Sequence, residues 1–157
     1  MRVTLLMFPA LVAAATACDI FAPENIDYRQ RAIDETARRE SLWTALDVHS
    51  YDFGYQRDCN CSPVAIQEVR IHVRNDVITR VVDAQGNDVP PQPDVSWPTV
   101  DSLFLWGRQF LADRRIFVEM DFDTTYNFPT HVRGDIPGQL VAEHNAGVFT
   151  EQPASAP

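Results

Sequence analysis

Lysine is absent from the chain: all 13 basic residues are arginine. Two kinds of chemistry are thereby excluded, a Schiff base on a lysine amine and a phosphate loop closed by a lysine. Basic charge is scarce as well, with 22 acidic residues against 13 basic ones and a net charge of -9. A surface of that sign repels nucleic acid and is not drawn to anionic lipid by a polybasic patch, so no nucleic-acid partner is expected. Long apolar runs are missing too. The longest, Val3 to Ala15, is shorter than the roughly 20 residues a membrane-spanning helix needs, and Pro9 interrupts it. None of the fingerprints of a nucleophile elbow, a zinc protease helix, a phosphate loop or a dinucleotide fold occurs. No cofactor is implied by any pattern in the chain.

What stands at the start has the plan of a secretory signal peptide: Met1-Arg2, the short apolar run, then Ala15-Thr16-Ala17 before Cys18. Two processing routes meet at that bond. Ala15-Thr16-Ala17 suits the general peptidase, while Ala-Thr-Ala-Cys resembles a bacterial lipobox, with Ala15 where Leu is commonest. The lipobox reading makes Cys18 the site of lipidation and anchors the mature protein to a membrane of the cell envelope. Cysteine arithmetic agrees: the chain has 3 cysteines, and Cys59 and Cys61 sit together, leaving Cys18 over. Two acyl chains and an N-terminal acyl group hold stably where a single chain does not. The expected organisation is a signal peptide over 1–17, a lipid-anchored tether over 18–26, one domain over 27–151 and a disordered tail over 152–157.

Within the domain, a helix is predicted from about Asp27 to Leu46, with Ile33, Ala37, Leu42, Trp43 and Leu46 as its apolar face. Tyr51, Phe53 and Tyr55 alternate with Asp52, Gly54 and Gln56 in the period-two pattern of a half-buried strand. Val69, Ile71 and Val73 do the same in the next strand, and Asn75-Asp76 occupies the place of a two-residue hairpin turn. The implied register sets Val73 opposite Ile78 and Val69 opposite Val82. A Pro- and Asp-rich loop, "DAQGNDVPPQPDVSWP", then leads to Thr99, an N-cap for a helix over Val100 to Asp113. Ile116, Val118, Met120 and Phe122 point inward from a further strand, and one begins near Pro129, followed by one or two more in "QLVAEH" and "GVFTE". The order helix, three strands, helix, two to three strands predicts an α+β fold: an antiparallel sheet of about five to six strands with two helices packed on one face. A helix-plus-three-strand unit occurring twice would give the same order, but the two "HVR" strings diverge directly after their turns, which argues against a sequence duplication.

Several fragments together resemble one family of bacterial envelope domains, domain of unknown function six-one-seven-four. They are Trp43, "YDF" at Tyr51 to Phe53, Cys59-Asn60-Cys61, "PTVDSLF" at Pro98 to Phe104, "MDFDTTYNFPT" at Met120 to Thr130, and Asp135. The chain departs from the pattern in having Phe122-Asp123 and Asn127-Phe128-Pro129 where Tyr-Asp and Gly-Tyr-Pro are expected. The resemblance implies the envelope address and the order of elements, and it implies no mechanism.

Three constellations could carry function. Cys59 and Cys61 can form a structural disulfide, a redox pair or a dithiolate for a soft metal; Cα atoms two apart in a strand are about 6.6 to 6.8 Å apart, so a bridge requires a local bend. Asp121, Asp123 and Asp135 could converge as a Ca²⁺ or acid-base cluster, against the plainer expectation of a solvated sheet face. His49, His72, His131 and His144 are scattered and read as exposed strand or loop histidines rather than ligands. Exposed aromatics are the third: Phe117, Trp97 and Trp106 exceed what a small core holds, and aromatic residues concentrate at protein contacts. Arg133-Gly134-Asp135 spells an adhesion tripeptide, expected at a strand end with Gly134 at positive φ; at a bacterial envelope no integrin binding follows from it. The leading expectation is a non-catalytic envelope lipoprotein domain that binds an unknown envelope protein or ligand. The alternative is a thiol-redox or soft-metal-handling protein working through Cys59 and Cys61.

Overall fold

The computed structural model describes residues 23–93 and 95–151. The expected signal peptide over 1–17, Cys18 with the first part of the expected tether, and the expected tail over 152–157 lie outside the described residues. Helix α1 (Pro23–Ala45) is followed by β1 (Tyr51–Asp58), a single helical turn α2 (Pro63–Ile66), β2 (Val69–Arg74) and β3 (Val77–Asp83). Helix α3 (Val100–Ala112) then leads to β4 (Phe117–Phe122), β5 (Pro129–Ile136) and β6 (Gln139–Glu151). The strands form one 6-stranded sheet in the order β3-β2-β1-β6-β5-β4. Every pairing is antiparallel. Two meanders thus lie side by side in the same order, joined at the β1–β6 seam.

Since β3 and β4 are opposite edges, the chain must cross the whole sheet between them, and the irregular segment 84–99 with α3 makes that crossing over one face. The N-terminus of α3 is built as its sequence demands. The Thr99 hydroxyl accepts the Ser102 N–H at 3.3 Å, and the Ser102 hydroxyl reciprocates toward the Thr99 N–H at 3.3 Å, closing a capping box. Val100, Leu103, Phe104, Gly107 and Leu111 are buried against the sheet. Beneath them, Tyr51, Phe53 and Tyr55 of β1 and Val69, Ile71 and Val73 of β2 form the centre of the core, as their alternation predicts.

Helix α1 starts at Pro23, so residues 23–26, expected in the tether, are helical. Proline suits a first turn because its missing N–H would have no intrahelical partner there. The buried face also differs from the expected one. Ile33, Leu42 and Leu46 are exposed, as is Ala37, and of the predicted stripe only Trp43 is buried. The face that docks carries Arg29, Ala32, Thr36, Arg39 and Trp43, and it is chosen by polar partners. Arg29 donates to Leu111 O at 2.7 Å, a carbonyl in the last turn of α3 that the helix leaves unpaired, and to Ile116 O at 2.6 Å in the connection to β4. Arg39 donates to Asn127 Oδ1 at 2.8 Å, and the Trp43 indole N–H donates to Asp101 at 3.0 Å. Tyr28 donates its hydroxyl to Val118 O on edge strand β4 at 2.9 Å.

The Asn75-Asp76 turn is present, with φ of 50° and 63° at its two residues. Val73 faces Ile78, but the expected pairing of Val69 with Val82 does not form: Val69 faces Asp83 and Ile71 faces Val81. A bulge between His72 and Val73 inserts Thr79 into β3, with the Thr79 hydroxyl donating to His72 O at 3.3 Å, so that Val81 rather than Val82 joins the core cluster. At the other end of the sheet, β6 is one strand where two were allowed for, and β5 runs through Arg133-Gly134-Asp135 without a turn. Gly134 is not at positive φ. It pairs with Val118 on one side and Ala142 on the other. A Cβ there would lie 2.9 Å from the Phe110 ring and 3.1 Å from Ile116, so packing beneath α3, rather than turn chemistry, requires the glycine. The reversal comes later, at Pro137-Gly138, where Gly138 has φ of 83°.

Candidate interaction surface

With both helices on the inner face, the strand alternation decides what the other face shows. Along β4, Val118, Met120 and Phe122 turn toward the helices, and Phe117, Glu119 and Asp121 turn away. Register then aligns these outward residues with their neighbours: Glu119 with Arg133 and Asp121 with His131. One strand further in, Arg133 faces Glu143, which itself faces Asp58 of β1. The outcome is an open, charged face over β4, β5, β6 and the end of β1, and among the described residues no helix covers it.

Arg133 lies between its acidic neighbours, 2.7 Å from Asp135 and 3.7 Å from Glu143. Asp135 first, then Glu143 and Glu119, hold its guanidinium pKa above the ordinary value. His131 bridges the next row, 3.5 Å from Asp121 and 3.4 Å from Glu143. Phe117, opposite Asp135, is 64% exposed. It borders a groove of about 410 Å³ with Arg133, Asp135, Ile136 and Leu140.

Of the sequence candidates, Asp121, Asp123 and Asp135 do not converge. Asp121 faces His131 and Asp135 faces Phe117, four residues apart along β4 or about 13 Å. Asp123 lies beyond the strand and closes its own turn, accepting Thr125 N–H at 2.8 Å and Tyr126 N–H at 2.5 Å. A three-aspartate site is therefore removed. Cys59 and Cys61 leave the strand at the bend their spacing requires: the Cys61 N–H donates to Cys59 O at 2.8 Å and the Cα atoms are 5.3 Å apart. Among the described residues no three His, Cys, Asp or Glu side chains are grouped to hold a metal ion. Trp97 and Trp106 pack against the core and only Phe117 of the three aromatics stands out. A family model covers residues 35–149, from within α1 to the last strand, and so takes in both meanders; it is described as a family of unknown function, DUF6174.

The chain belongs to the DUF6174 family. No curated protein and no solved structure matches it. In this DUF6174 chain, four residues that build the open face are not expected from sequence to act together: Glu119 and Glu143 are not singled out, His131 reads as a scattered histidine, and Arg133 stands out only within the Arg-Gly-Asp string. The outward position of Glu119 was legible from alternation, but which residues would stand beside it depended on strand order. One histidine expected at the surface is instead in the core: His144 is 5% exposed, stacked on Trp106 with ring centroids 4.3 Å apart. Its Nδ1 lies 2.8 Å from the Tyr55 hydroxyl, which in turn accepts Arg57 Nε–H at 3.2 Å. Burial, and then the nearby Arg57 charge, push its pKa down to about 4. No helix among the described residues is long and apolar enough to cross a membrane.

Proposed function

We propose that this DUF6174 domain is a non-catalytic binding module of the bacterial cell envelope, held to a membrane by lipid on Cys18, with its open sheet face turned toward a protein partner. The observation that carries the reading is Phe117: a large aromatic side chain, 64% exposed, on an uncovered sheet face beside an arginine. Scattered apolar exposure is normal on protein surfaces. An exposed aromatic next to Arg133 at a groove, however, has the composition of a contact anchor, since aromatic residues and arginine dominate binding energy at protein interfaces. The divergence of the aspartates supports a binding role over hydrolysis by that trio.

The reading is tested in the native host by placing a photo-crosslinking amino acid at Phe117 and, as a control on the helical side, at Leu42. A protein adduct at Phe117 and none at Leu42 is expected; no adduct at Phe117, or equal adducts at both, rejects it. The anchor is tested separately. Lipid mass on Cys18 and membrane fractionation are expected, and Cys18→Ser is expected to leave an uncleaved precursor or a soluble protein. Membrane association without lipid on Cys18 rejects the anchor.

A further inference from the structure

We infer that the partner presents a cationic polypeptide surface, bearing arginine or lysine side chains, to the acidic half of the open sheet face. The inference rests on the binding role proposed above and adds the chemistry of what binds. Asp58, Glu119, Asp121, Asp135 and Glu143 share this half with the single guanidinium of Arg133 and the imidazole of His131. That is five carboxylates against one permanent positive charge. Among the described residues Asp58 has no ion pair or side-chain hydrogen bond, Glu119 acts on Arg133 through space without a direct ion pair, and the Asp121 side chain is 78% exposed. The other half, toward β2 and β3, is richer in positive charge: Arg70 is exposed there, Arg74 and His72 lie 2.7 and 3.0 Å from Asp52 of β1, and Arg80 lies 2.6 Å from Asp88. Unbalanced charge is therefore concentrated beside Phe117, where a cationic partner gains both orientation and encounter rate.

The test uses the domain with a short oligo-arginine peptide as probe and an oligo-glutamate peptide as control, followed by amide chemical shifts. Shifts are expected at Phe117, Glu119, Asp121, His131 and Glu143. Joint Glu119→Arg and Glu143→Arg substitution is expected to weaken binding about tenfold, and Glu40→Arg on the helical side by less than about twofold. Asp121→Asn, at an exposed position, gives a smaller loss in the same direction and serves if the double variant does not fold. Absence of binding overturns the inference. So does equal perturbation of the groove formed by Glu40, Asp47, Asp76 and Asp101 on the other side, which indicates only the general attraction of an acidic protein. A Phe117 crosslink whose yield is unchanged by the charge reversal sinks this inference and leaves the binding role standing, whereas loss of the crosslink in the unaltered protein removes the binding role itself.

Discussion

Acidification from neutrality to about pH 4 is expected to destabilise this domain through His144, and the size of the effect follows from its surroundings. The Arg57 guanidinium donates to the Tyr55 oxygen, so the one Tyr55 proton is directed at His144 Nδ1. That chain is satisfied only when Nδ1 is an unprotonated acceptor. Charging the ring places a cation beneath Trp106, near Arg57, with little solvent to receive it. The folded-state pKa of about 4 lies below the ordinary 6.5. The unfolded chain therefore binds the proton more readily, and stability is fully present above about pH 6.5 and is lost as the pH falls toward 4. A difference of about 2.5 units corresponds to about 3 kcal/mol in all, of which about 2 kcal/mol is gone by about pH 5. The assay is urea denaturation across this range, comparing the wild type with His144→Phe, which keeps a ring on Trp106 and cannot titrate. His49 works in the opposite direction: hydrogen bonding to Asp76 raises its pKa, so its contribution is present below about 6.5 and lost as the pH rises. Carboxylates with lowered values, such as Glu35 at about 2, begin to lose their contribution as the pH falls through about 4.5, at the acid end of this range, and do so equally in both proteins. The difference between the two proteins thus isolates His144. An unchanged pH slope in His144→Phe, or a His144 titration midpoint near 6.5 by NMR, refutes the reasoning.

Two further outcomes follow from the same packing. Gly134→Ala is expected to cost about 1–3 kcal/mol in chemical denaturation, because its Cβ meets the rigid Phe110 ring at 2.9 Å, while Gly54→Ala, with 3.8 Å of room, is expected to be neutral or slightly stabilising; equal costs would show that local crowding does not set the difference. For Cys59 and Cys61, the native mass is expected to lie two hydrogens below that of the reduced chain, with neither thiol open to alkylation before reduction; two free thiols in protein taken directly from its native host would count against the bridge.

The local pieces of this fold were legible because their signals act over short distances. Thr99, Ser102 and the helical spacing after them specify α3 within a few residues, and Asn75-Asp76 tolerates the positive φ its hairpin needs. Tyr51, Phe53 and Tyr55 state by alternation alone which face of β1 is buried. Even the family resemblance was carried by short strings. What lay beyond reach depends on partners far along the chain. Helix α1 buries the side bearing Arg29 and Trp43 because the acceptors are on α3, β4 and their connection, so its apolar residues were a poor guide. A single bulged residue places Val81 rather than Val82 in the core cluster, since a strand exchanges faces with every residue.

The sequence by itself therefore determined the element types, the lack of lysine chemistry, the acidic balance and the place of the two adjacent cysteines. Tertiary structure alone decided that β1 pairs with β6, that His144 lies under α3, that the Arg-Gly-Asp tripeptide is a strand, and that the aspartates separate while Glu119, Arg133 and Glu143 align. The reason is physical. Periodicity says which way a side chain points, whereas its neighbours depend on strand order and register, which emerge only when distant segments pack.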